Sequence, residues 1–577
     1  MFRQLLVLVC AFCLAGSSAV AQPVITGPLV VSERWPQCTD LATWTRDVMR
    51  LEGVENASET IQARAFFGWL RLFNRMATGG MIQAFEGPHG KEEYVLDAHK
   101  HLFVYGWGYC DTTSRIAEAA WKQYKQTSEG AERVITQHDD GGYHTMYRLR
   151  LDGNWGAFDP RYGYFLIERD APDARILDWA EVGVDESIRR NKTYKHRSKP
   201  FFEFFGPEWK RAFLINECWY PSEEAWVAAG RPVECVFGNS QYEMDTPYHD
   251  MQFRLPKGTT IQRFWDNSAR KFYVPAAPRA AREEPFQSSG RFYRVTETML
   301  DGNWPKHDPN YETVKPYLVT VPKGEGYNDQ VSGGRTIGQA WGRWTYEPDW
   351  TKREALQVLT PESNLAHAAQ APFLRATDHT GGAATLDFYS PYILVDGVLE
   401  GELLGSADEA RIEIRAQLPK PRQRDQPDVW SDWETLHSGG KPFAVDLGRD
   451  RFNGRQVSLH GVYRFQVRVR LSPQAGRINQ VGLKTLRLRA HFENGIMSLP
   501  QIFAGDNTIH FKVADAAAVT GPIQVLYRFQ TADGERTHAQ TIRPEDFRGN
   551  VATYTLRAPG LTRCNSVQVV YYSNGIK

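Results

Sequence analysis

Three side chains in the first third of the chain have the types and the order that nucleophilic catalysis needs. Cys110 carries a thiol, His144 an imidazole and Asp159 a carboxylate. A thiol attacks a carbonyl group as the thiolate, so it needs a base that takes its proton, and the base needs a group that orients it. The three residues therefore predict covalent acyl chemistry, with Cys110 as nucleophile, His144 as base and Asp159 as the orienting carboxylate.

The segment that begins at Cys110 has the pattern of a helix start. Ile116, Ala120 and Tyr124 recur at helical spacing, and residues 111–114 offer side chains that cap a helix. The free N–H groups and the dipole at a helix N-terminus favour a thiolate. We therefore expect Cys110 to be the most reactive thiol of the protein.

His144 and Asp159 lie near the two outer ends of a predicted β-hairpin. Apolar residues alternate with arginines over residues 147–151, and Asp152 and Gly153 then form a pair that is typical of a two-residue turn. A second strand-like segment leads from this turn to Asp159. Because the two strands are similar in length, we expect the imidazole and the carboxylate to meet at the open end of the hairpin.

These motifs resemble the transglutaminase-like (papain-like cysteine) superfamily, in the form that secreted bacterial proteins combine with C-terminal β-sandwiches. The shared features are a Gly-x-Cys at a helix start, a His before an aromatic-containing strand and a Gly-x-Trp-x-x-x-Asp-Pro ending, all within residues 94–164. The resemblance implies an α+β catalytic domain and the roles given above for the Cys, the His and the Asp.

The sequence departs from the family pattern at two points. The aromatic residue that often follows the His by two places is Met146 here. A second donor for the oxyanion of the reaction is also not fixed by the motifs. The candidates for oxyanion or substrate contacts are Tyr105, Trp107 and Tyr143.

The start of the chain has the pattern of a cleaved secretory signal. Arg3 precedes an apolar run over residues 5–14, and small residues close the segment at Ala19 and Ala21. We therefore expect residues 1–21 to be a signal peptide and the remaining chain to be secreted or periplasmic. No later apolar run approaches the roughly 20 residues of a membrane span, so no span is predicted.

Composition argues against several other functions. Lys and Arg number 68 together, as do Asp and Glu, and they form no basic block, so we expect no binding to nucleic acid. No cysteine pair has zinc spacing, and neither a metal nor a cofactor is predicted. Seven cysteines less the two in the signal segment leave five, an odd number that indicates at least one free thiol. Cys218 and Cys235 are near enough in sequence for a disulfide, whereas Cys38 and Cys564 are expected to be buried.

Pattern changes divide the mature chain into four parts. Residues 22–275 are predicted to form the transglutaminase-like catalytic domain, which begins with helices over residues 40–77. Residues 276–372 are predicted to be a linker and an ill-defined aromatic-rich region, because residues 275–285 are rich in Pro, Ala and charge.

Two all-β sandwich domains of the Ig-like type are predicted after this region, over residues 373–495 and 496–577. Apolar residues alternate there with arginines in short runs that Gly, Asp and Pro turns separate. The clearest runs are residues 410–416, 463–471 and 482–490.

The sequence thus predicts a secreted cysteine enzyme that performs acyl transfer, with amide or peptide hydrolysis as the main expectation. Transfer to an amine stays open, because the two outcomes differ in access of the acceptor and not in the triad. One alternative is a polysaccharide lyase or hydrolase in which His144 and Tyr143 transfer protons. Another is a non-catalytic module that binds glycan or protein. Phe388, Tyr389, Tyr392, Trp430 and Trp433 are expected to plug sandwich edges or to pack between domains, with a sugar-stacking platform as the alternative.

Overall fold

The structure is a computed structural model, and it describes most but not all of the chain. The described residues are 24–76, 85–87, 93–108, 110–137, 143–160, 164–165, 167–168, 173–178, 236–237, 249–266, 269, 271, 273, 319–321, 335–337, 339–356, 358–419, 428–448 and 457–572. The predicted signal segment and the disulfide candidates Cys218 and Cys235 lie outside these ranges.

Three α-helices occur in the described residues, namely α1 (Leu41–Leu51), α2 (Glu59–Phe73) and α3 (Cys110–Lys125). The first two confirm the helices predicted over residues 40–77. A carboxylate oxygen of Asp40 accepts a hydrogen bond from the backbone N–H of Thr43 at 2.7 Å and caps α1. No helix of the described chain is both long enough and apolar enough to cross a membrane.

A π-helix (Lys100–Tyr105) lies shortly before α3, and all six of its residues are buried. Its hydrogen bond from the N–H of Gly106 to the carbonyl of His101, at 3.0 Å, closes the wider i→i+5 turn. Short 3₁₀-helices occur at Arg353–Leu356, Ile496–Ser498, Ala516–Ala518 and Pro544–Asp546.

Strands make up most of the regular structure. Those before residue 300 are β1 (Val24–Thr26), β2 (Leu29–Ser32), β3 (Arg75–Met76), β4 (Phe85–Glu86), β5 (Glu93–Tyr94), β6 (Trp107–Gly108), β7 (Ala131–Gln137), β8 (Tyr143–Leu151), β9 (Asn154–Asp159), β10 (Tyr164–Phe165), β11 (Val236–Phe237), β12 (Arg254–Pro256) and β13 (Thr259–Phe264).

The later strands are β14 (Val319–Val321), β15 (Arg335–Ile337), β16 (Gln339–Tyr346), β17 (Leu359–Ser363), β18 (Leu365–His367), β19 (Leu374–Ala376), β20 (Gly382–Tyr389), β21 (Ile393–Leu404), β22 (Ala410–Ala416), β23 (Glu434–Ser438), β24 (Pro442–Asp446), β25 (Arg464–Leu471), β26 (Gly482–Gly495), β27 (Gly505–Lys512), β28 (Ile523–Thr531), β29 (Gly534–Ile542), β30 (Val551–Ala558) and β31 (Leu561–Tyr571).

Three sheets hold most of these strands. A five-stranded antiparallel sheet has the order β10-β9-β8-β7-β11, and a second has the order β17-β20-β25-β22-β23. A ten-stranded sheet runs β18-β19-β26-β16-β13-β31-β28-β29, and β21 and β24 extend it from β26. Smaller sheets are formed by β2-β27-β30 and by the pairs β1-β12, β3-β6, β4-β5 and β14-β15.

The predicted fold class, an α+β transglutaminase-like domain followed by separate sandwiches, is wrong. The described residues contain 31 strands against three α-helices, and these helices are confined to residues 41–125. Strands of the first half also pair with distant ones, since β13 pairs with β31 and β2 with β27. The helices and the hairpin are local features, and they do not set the class of the surrounding structure.

The predicted domain boundaries remain predictions, although one sheet crosses several of them. β13 precedes the boundary at residue 275, whereas its partner β31 follows the boundary at residue 496. The individual strand predictions are confirmed: residues 410–416 coincide with β22, and β25 and β26 cover most of the other two runs.

Glu493 is a buried carboxyl group within the ten-stranded sheet. It lies on β26 opposite Trp341 on one side and Ile393 on the other, and it is 3% exposed. Burial raises the pKa of Glu493 to about 8, against the lowering effect of the Tyr273 N–H that it accepts at 2.7 Å. The folded protein therefore holds this carboxyl protonated at neutral pH, whereas the unfolded chain ionises it near 4.5.

This difference predicts a loss of stability as pH rises from about 4.5 to about 8, because the folded state binds the proton more tightly over that window. The loss approaches about 1.4 kcal/mol per pH unit for one group. Glu493→Gln cannot ionise and should flatten the dependence of melting temperature on pH, so that it exceeds wild type at the alkaline end. Glu402→Gln, which removes a carboxylate paired with Lys484 at the surface, is the control. An equal slope in wild type and Glu493→Gln would contradict the assignment.

Candidate functional site

The predicted nucleophile lies at the first residue of α3. The structure starts the helix at Cys110, as the sequence pattern predicts, and Cys110 is 1% exposed. The hydroxyl of Ser114 donates to the carbonyl oxygen of Cys110 at 2.7 Å and also lies 3.3 Å from the carbonyl oxygen of Thr145 on β8. The first turn of α3 is therefore attached to β8 one residue away from His144.

A buried asparagine fixes the start of α3 from the other side. The hydroxyl of Thr113 donates to the side-chain oxygen of Asn74 at 2.7 Å, and the Asn74 amide donates to the carbonyl of His101 at 3.0 Å. Asn74 follows the last residue of α2 and is fully buried. Each such hydrogen bond contributes about 0.5–1.5 kcal/mol net, so one side chain ties α2, the π-helix and α3 together.

The hairpin that carries His144 and Asp159 forms as predicted. β8 and β9 pair antiparallel with Tyr147 opposite Phe158 and Leu151 opposite Asn154, which leaves Asp152 and Gly153 as the turn. Their φ angles are +49° and +88°. Positive φ at both central residues is the type I′ turn, whose twist matches that of the strands and which explains the Asp-Gly pair.

The turn of the hairpin is bound to the N-terminus of α2. The carboxylate of Asp152 accepts from the backbone N–H groups of Glu59 and Thr60, both at 3.1 Å, and from the Thr60 hydroxyl at 2.8 Å. In return, the N–H of Asp152 donates to the Glu59 carboxylate at 2.8 Å. Partial burial raises the pKa of Asp152, but the hydrogen bonds from Thr60 and Glu59 outweigh it and lower the pKa.

The backbone register brings the positions of the predicted base and its orienting carboxylate near each other on adjacent strands. His144 lies opposite Thr136 of β7, two residues before Met146. Continuing the β8–β9 register by one pair beyond Tyr147 and Phe158 sets Asp159 opposite Met146, so Asp159 and His144 are diagonal neighbours. Asp159 is fully buried. The side chains of His144, Tyr143 and Trp107 lie outside what the structure describes.

The other described cysteines are confirmed as buried and free. Cys38 and Cys564 form no disulfide, and neither does Cys110. Burial raises the pKa of the Cys38 thiol, against the lowering effect of the Arg263 guanidinium. Cys38 is therefore held as the neutral thiol and is a poor nucleophile.

Tyr105, an oxyanion candidate, belongs to a buried polar cluster. Its hydroxyl donates to Glu86 at 3.0 Å and lies 3.2 Å from the hydroxyl of Tyr463, while Lys100 forms an ion pair with the same Glu86. Burial and the Glu86 charge raise the pKa of Tyr105 well above its ordinary value. Because its one proton is used at Glu86, the Tyr105 hydroxyl does not serve as an oxyanion donor in this arrangement.

The cluster borders a polar pocket that the sequence did not reveal. The pocket has a volume of about 200 Å³ and is lined by residues that include Glu86, Lys100, His249 and Tyr463. These residues come from segments hundreds of positions apart, and none belongs to a motif. The one signal in the sequence is the segment 100–105, in which Lys100, His101 and Tyr105 flank the apolar run of residues 102–104.

The proposed aromatic platform is largely covered. Phe388 and Tyr392 are buried at 3% and 4% exposure. Guanidinium groups lie over both tryptophan rings: Arg415 is 4.8 Å from the centre of Trp430 and 4.5 Å from that of Trp433. Arg468 is 4.1 Å from Trp433 and Arg464 is 5.3 Å from Trp430, so these rings take part in cation–π contacts. Tyr389 alone among the five lines the pocket.

Comparison with known proteins identifies no family for this chain. No family model matches it, and no curated protein matches it in sequence. A protein assigned as a beta-galactosidase from Bacteroides fragilis aligns over 32% of this chain and 28% of its own, at 12% identity and a TM-score of 0.12. A calcium binding mutant of Bacteroides uniformis beta-glucuronidase 2 aligns over 34% and 23%, at 12% identity and 0.12. A secreted protein from Parabacteroides distasonis aligns over 37% and 79%, at 8% identity and 0.13.

This chain therefore spans about a quarter of the length of the first two proteins. TM-scores at this level carry no argument about fold or activity, and the site rests on its own geometry.

Asp152→Gly tests the attachment of the hairpin to α2. Glycine keeps the positive φ of the turn but removes the carboxylate, so the variant should lose about 1–3 kcal/mol of stability in chemical denaturation. Because the pKa of Asp152 is lowered, this contribution is present above about pH 4 and is lost as pH falls below it. Asp533→Gly, in a turn where the carboxylate is 80% exposed, is the matched control. Equal losses of stability in Asp152→Gly and Asp533→Gly would contradict the attachment of the hairpin to α2 through Asp152.

Thiol labelling tests whether the N-terminus of α3 makes Cys110 reactive. Under brief iodoacetamide treatment of the native protein, Cys110 should be modified before Cys38 and Cys564, although it is only 1% exposed against 7% for Cys38. The expected reason is the N-terminus of α3, which favours a thiolate at Cys110 and has no counterpart at Cys38, whose pKa burial raises. Mass mapping of the labelled peptides gives the order. Labelling of Cys38 ahead of Cys110 would show that the helix start does not activate the thiol.

Proposed function

We propose that this protein is a secreted cysteine enzyme that hydrolyses an amide bond through an acyl-enzyme on Cys110. The observation that carries the proposal is the junction of α3 and β8. The helix begins at Cys110, and the Ser114 hydroxyl joins its first turn to β8 at Thr145, beside His144. By backbone register, Asp159 is a diagonal neighbour of His144 on the adjacent strand.

In the proposed reaction, His144 takes the proton of the Cys110 thiol, and the thiolate attacks the carbonyl carbon of the amide. The imidazolium then gives its proton to the leaving nitrogen as the C–N bond breaks, which leaves a thioester and releases the amine. Water, deprotonated by His144, attacks the thioester. The carboxylic acid leaves, and the returned proton restores the thiol of Cys110.

Two features of the described structure support this chemistry. α3 begins at Cys110. The first N–H groups of an α-helix have no partner within the helix, and they and the positive end of its dipole favour a thiolate and an oxyanion at that position. Asp159 is fully buried at the end of β9, and a carboxylate beside an imidazole fixes its tautomer and stabilises its protonated form.

The proposed substrate class rests on the chemistry and on the predicted export. A thiolate that forms an acyl-enzyme acts on peptide or other amide bonds, and the signal-like pattern of residues 1–21 supports a substrate outside the cytoplasm. Resolution by an amine in place of water would make the same site a transferase.

Turnover measurements on a panel of peptides and amides test the triad. Cys110→Ala and His144→Ala should each lose activity by a factor on the order of 10⁶, while Asp159→Asn should lose less, on the order of 10⁴, because the amide keeps the ring in place without stabilising its charge. The double variant Cys110→Ala/His144→Ala should be no worse than either single change, since the groups act as a unit.

Cys38→Ala is the matched control, because it removes a buried thiol that is outside the proposed triad and whose hydrogen-bond acceptors are the carbonyls of Pro36 and Met497. It should keep wild-type turnover. Full activity of Cys110→Ala, or activity that survives complete alkylation of Cys110, would overturn the acyl-enzyme and favour proton-transfer chemistry on a polysaccharide. Absence of activity in the wild type on every peptide, amide and polysaccharide tested, with glycan or protein binding retained in the wild type and in every variant, would favour the non-catalytic alternative.

A further inference from the structure

The pocket beside the π-helix lies where two parts of the fold meet. One wall comes from Glu86, Lys100 and the segment 249–254, and the opposite wall from Tyr389 of β20 and the segment 461–464 at the start of β25. Ligand sites commonly occur at such junctions. Its volume of about 200 Å³ is below the roughly 300–1,000 Å³ typical of drug-sized ligands, so it fits a group the size of a single sugar ring.

The charged side chains that line the pocket compensate one another. Three are acidic and three are basic: Glu86, Asp250 and Asp428, and Lys100, Arg254 and Arg464. Lys100 is paired with Glu86, and Arg464 is paired with Asp428 at 3.0 Å and with Asp387. A charged ligand would therefore meet groups of the opposing sign as well as compensating ones. An uncharged ligand with several hydroxyls would instead donate to the carboxylates and accept from the cations.

His249 adds a fixed hydrogen-bond acceptor to the pocket wall. The ring N–H at Nε2 donates to the carbonyl of Pro391 at 2.8 Å, and the backbone N–H of His249 donates to the Asp97 carboxylate at 2.9 Å. His249 is 8% exposed. Burial and the neighbouring Lys100 charge lower the pKa of His249 to about 3, so the ring is neutral. Its Nδ1 is then an acceptor without a hydrogen-bond partner among the described residues.

Tyrosine rings supply the apolar part of the walls. The ring of Tyr463 packs edge-on against His249 at 4.6 Å between ring centres, and the Nζ of Lys100 lies 4.3 Å from its centre. The hydroxyl of Tyr389 donates to the carbonyl of Asp250, which holds that ring at the pocket, and Arg254 lies 5.5 Å from its centre. Amphipathic rings of this kind present both a face for C–H groups and a polar tip.

We propose that this pocket binds one uncharged sugar ring of a glycan. The hydroxyls of the sugar donate to Nδ1 of His249 and to the carboxylate of Asp250, and they accept from the guanidinium of Arg254. The C–H face of the sugar packs against Tyr389. This binding is independent of the acyl chemistry proposed at Cys110, because none of the four side chains belongs to the triad.

Calorimetric titration of the full chain with methyl glycosides tests the inference. The probes are the methyl α- and β-pyranosides of glucose, galactose, mannose and N-acetylglucosamine, with glucuronate and galacturonate as charged counterparts. At least one neutral pyranoside should bind at millimolar concentration, at least tenfold more tightly than its uronate. Tyr389→Ala and His249→Phe should each weaken that binding at least tenfold, and Arg254→Met several-fold.

Arg536→Met is the matched control, because Arg536 is exposed and pairs with Asp533 far along the chain from the pocket. It should bind the sugar as wild type does. Arg254 is itself exposed, so Arg254→Met folds even where the buried variants do not, and it keeps the test decisive. Absence of binding by every neutral pyranoside, tighter binding of a uronate, or unchanged binding in Arg254→Met would overturn the proposal. Cys110→Ala should leave sugar binding intact whether or not the acyl-enzyme exists.

Discussion

Strand β13 is the element on which the rest of the fold depends, because it forms hydrogen bonds along both edges. Its six residues pair with β16 on one side and with β31 on the other, so that Thr259 lies opposite both Tyr346 and Tyr571. Buried backbone N–H and C=O groups need partners. A β13 without β31 would expose one full edge, and the first half of the chain therefore cannot complete its structure without the last strand.

The elements of the candidate catalytic site are held together by side-chain hydrogen bonds and not by strand pairing alone. Three short-range attachments hold it: Asn74 ties α2 to the π-helix and α3, Ser114 ties α3 to β8, and Asp152 ties the hairpin to α2. Only the third attachment satisfies free backbone groups at the end of an element, since Asp152 accepts from the first N–H groups of α2. The other two join a side chain to a neighbouring side chain or carbonyl group. The position of Cys110 relative to the hairpin is thus set by a few polar side-chain contacts, within a helical layer that packs on one sheet.

Local features of this protein were predictable, and long-range partners were not. The helix start at Cys110, the turn at Asp152 and the strand at residues 410–416 follow from spacing and turn chemistry, and all three are confirmed. Alternation identifies a strand but says nothing about its neighbour, so the pairing of Thr259 with Tyr571 and the strand-dominated class were missed. The pocket was missed for the same reason, because its walls meet only after the chain has folded.

The π-helix has a consequence for insertions and deletions. A turn closed by i→i+5 bonds is one residue longer than an α-helical turn, and it brings Lys100 and Tyr105, five positions apart, to the same Glu86. An α-helix through this segment would rotate the two side chains away from each other. Removing a single residue between them would leave a spacing of four, which an α-helix places on one face. The shortened segment could therefore form an ordinary α-helix and still bring the ammonium and the phenol to Glu86, whereas an α-helix of the present length could not, so the length of this segment and its type of helix are constrained together.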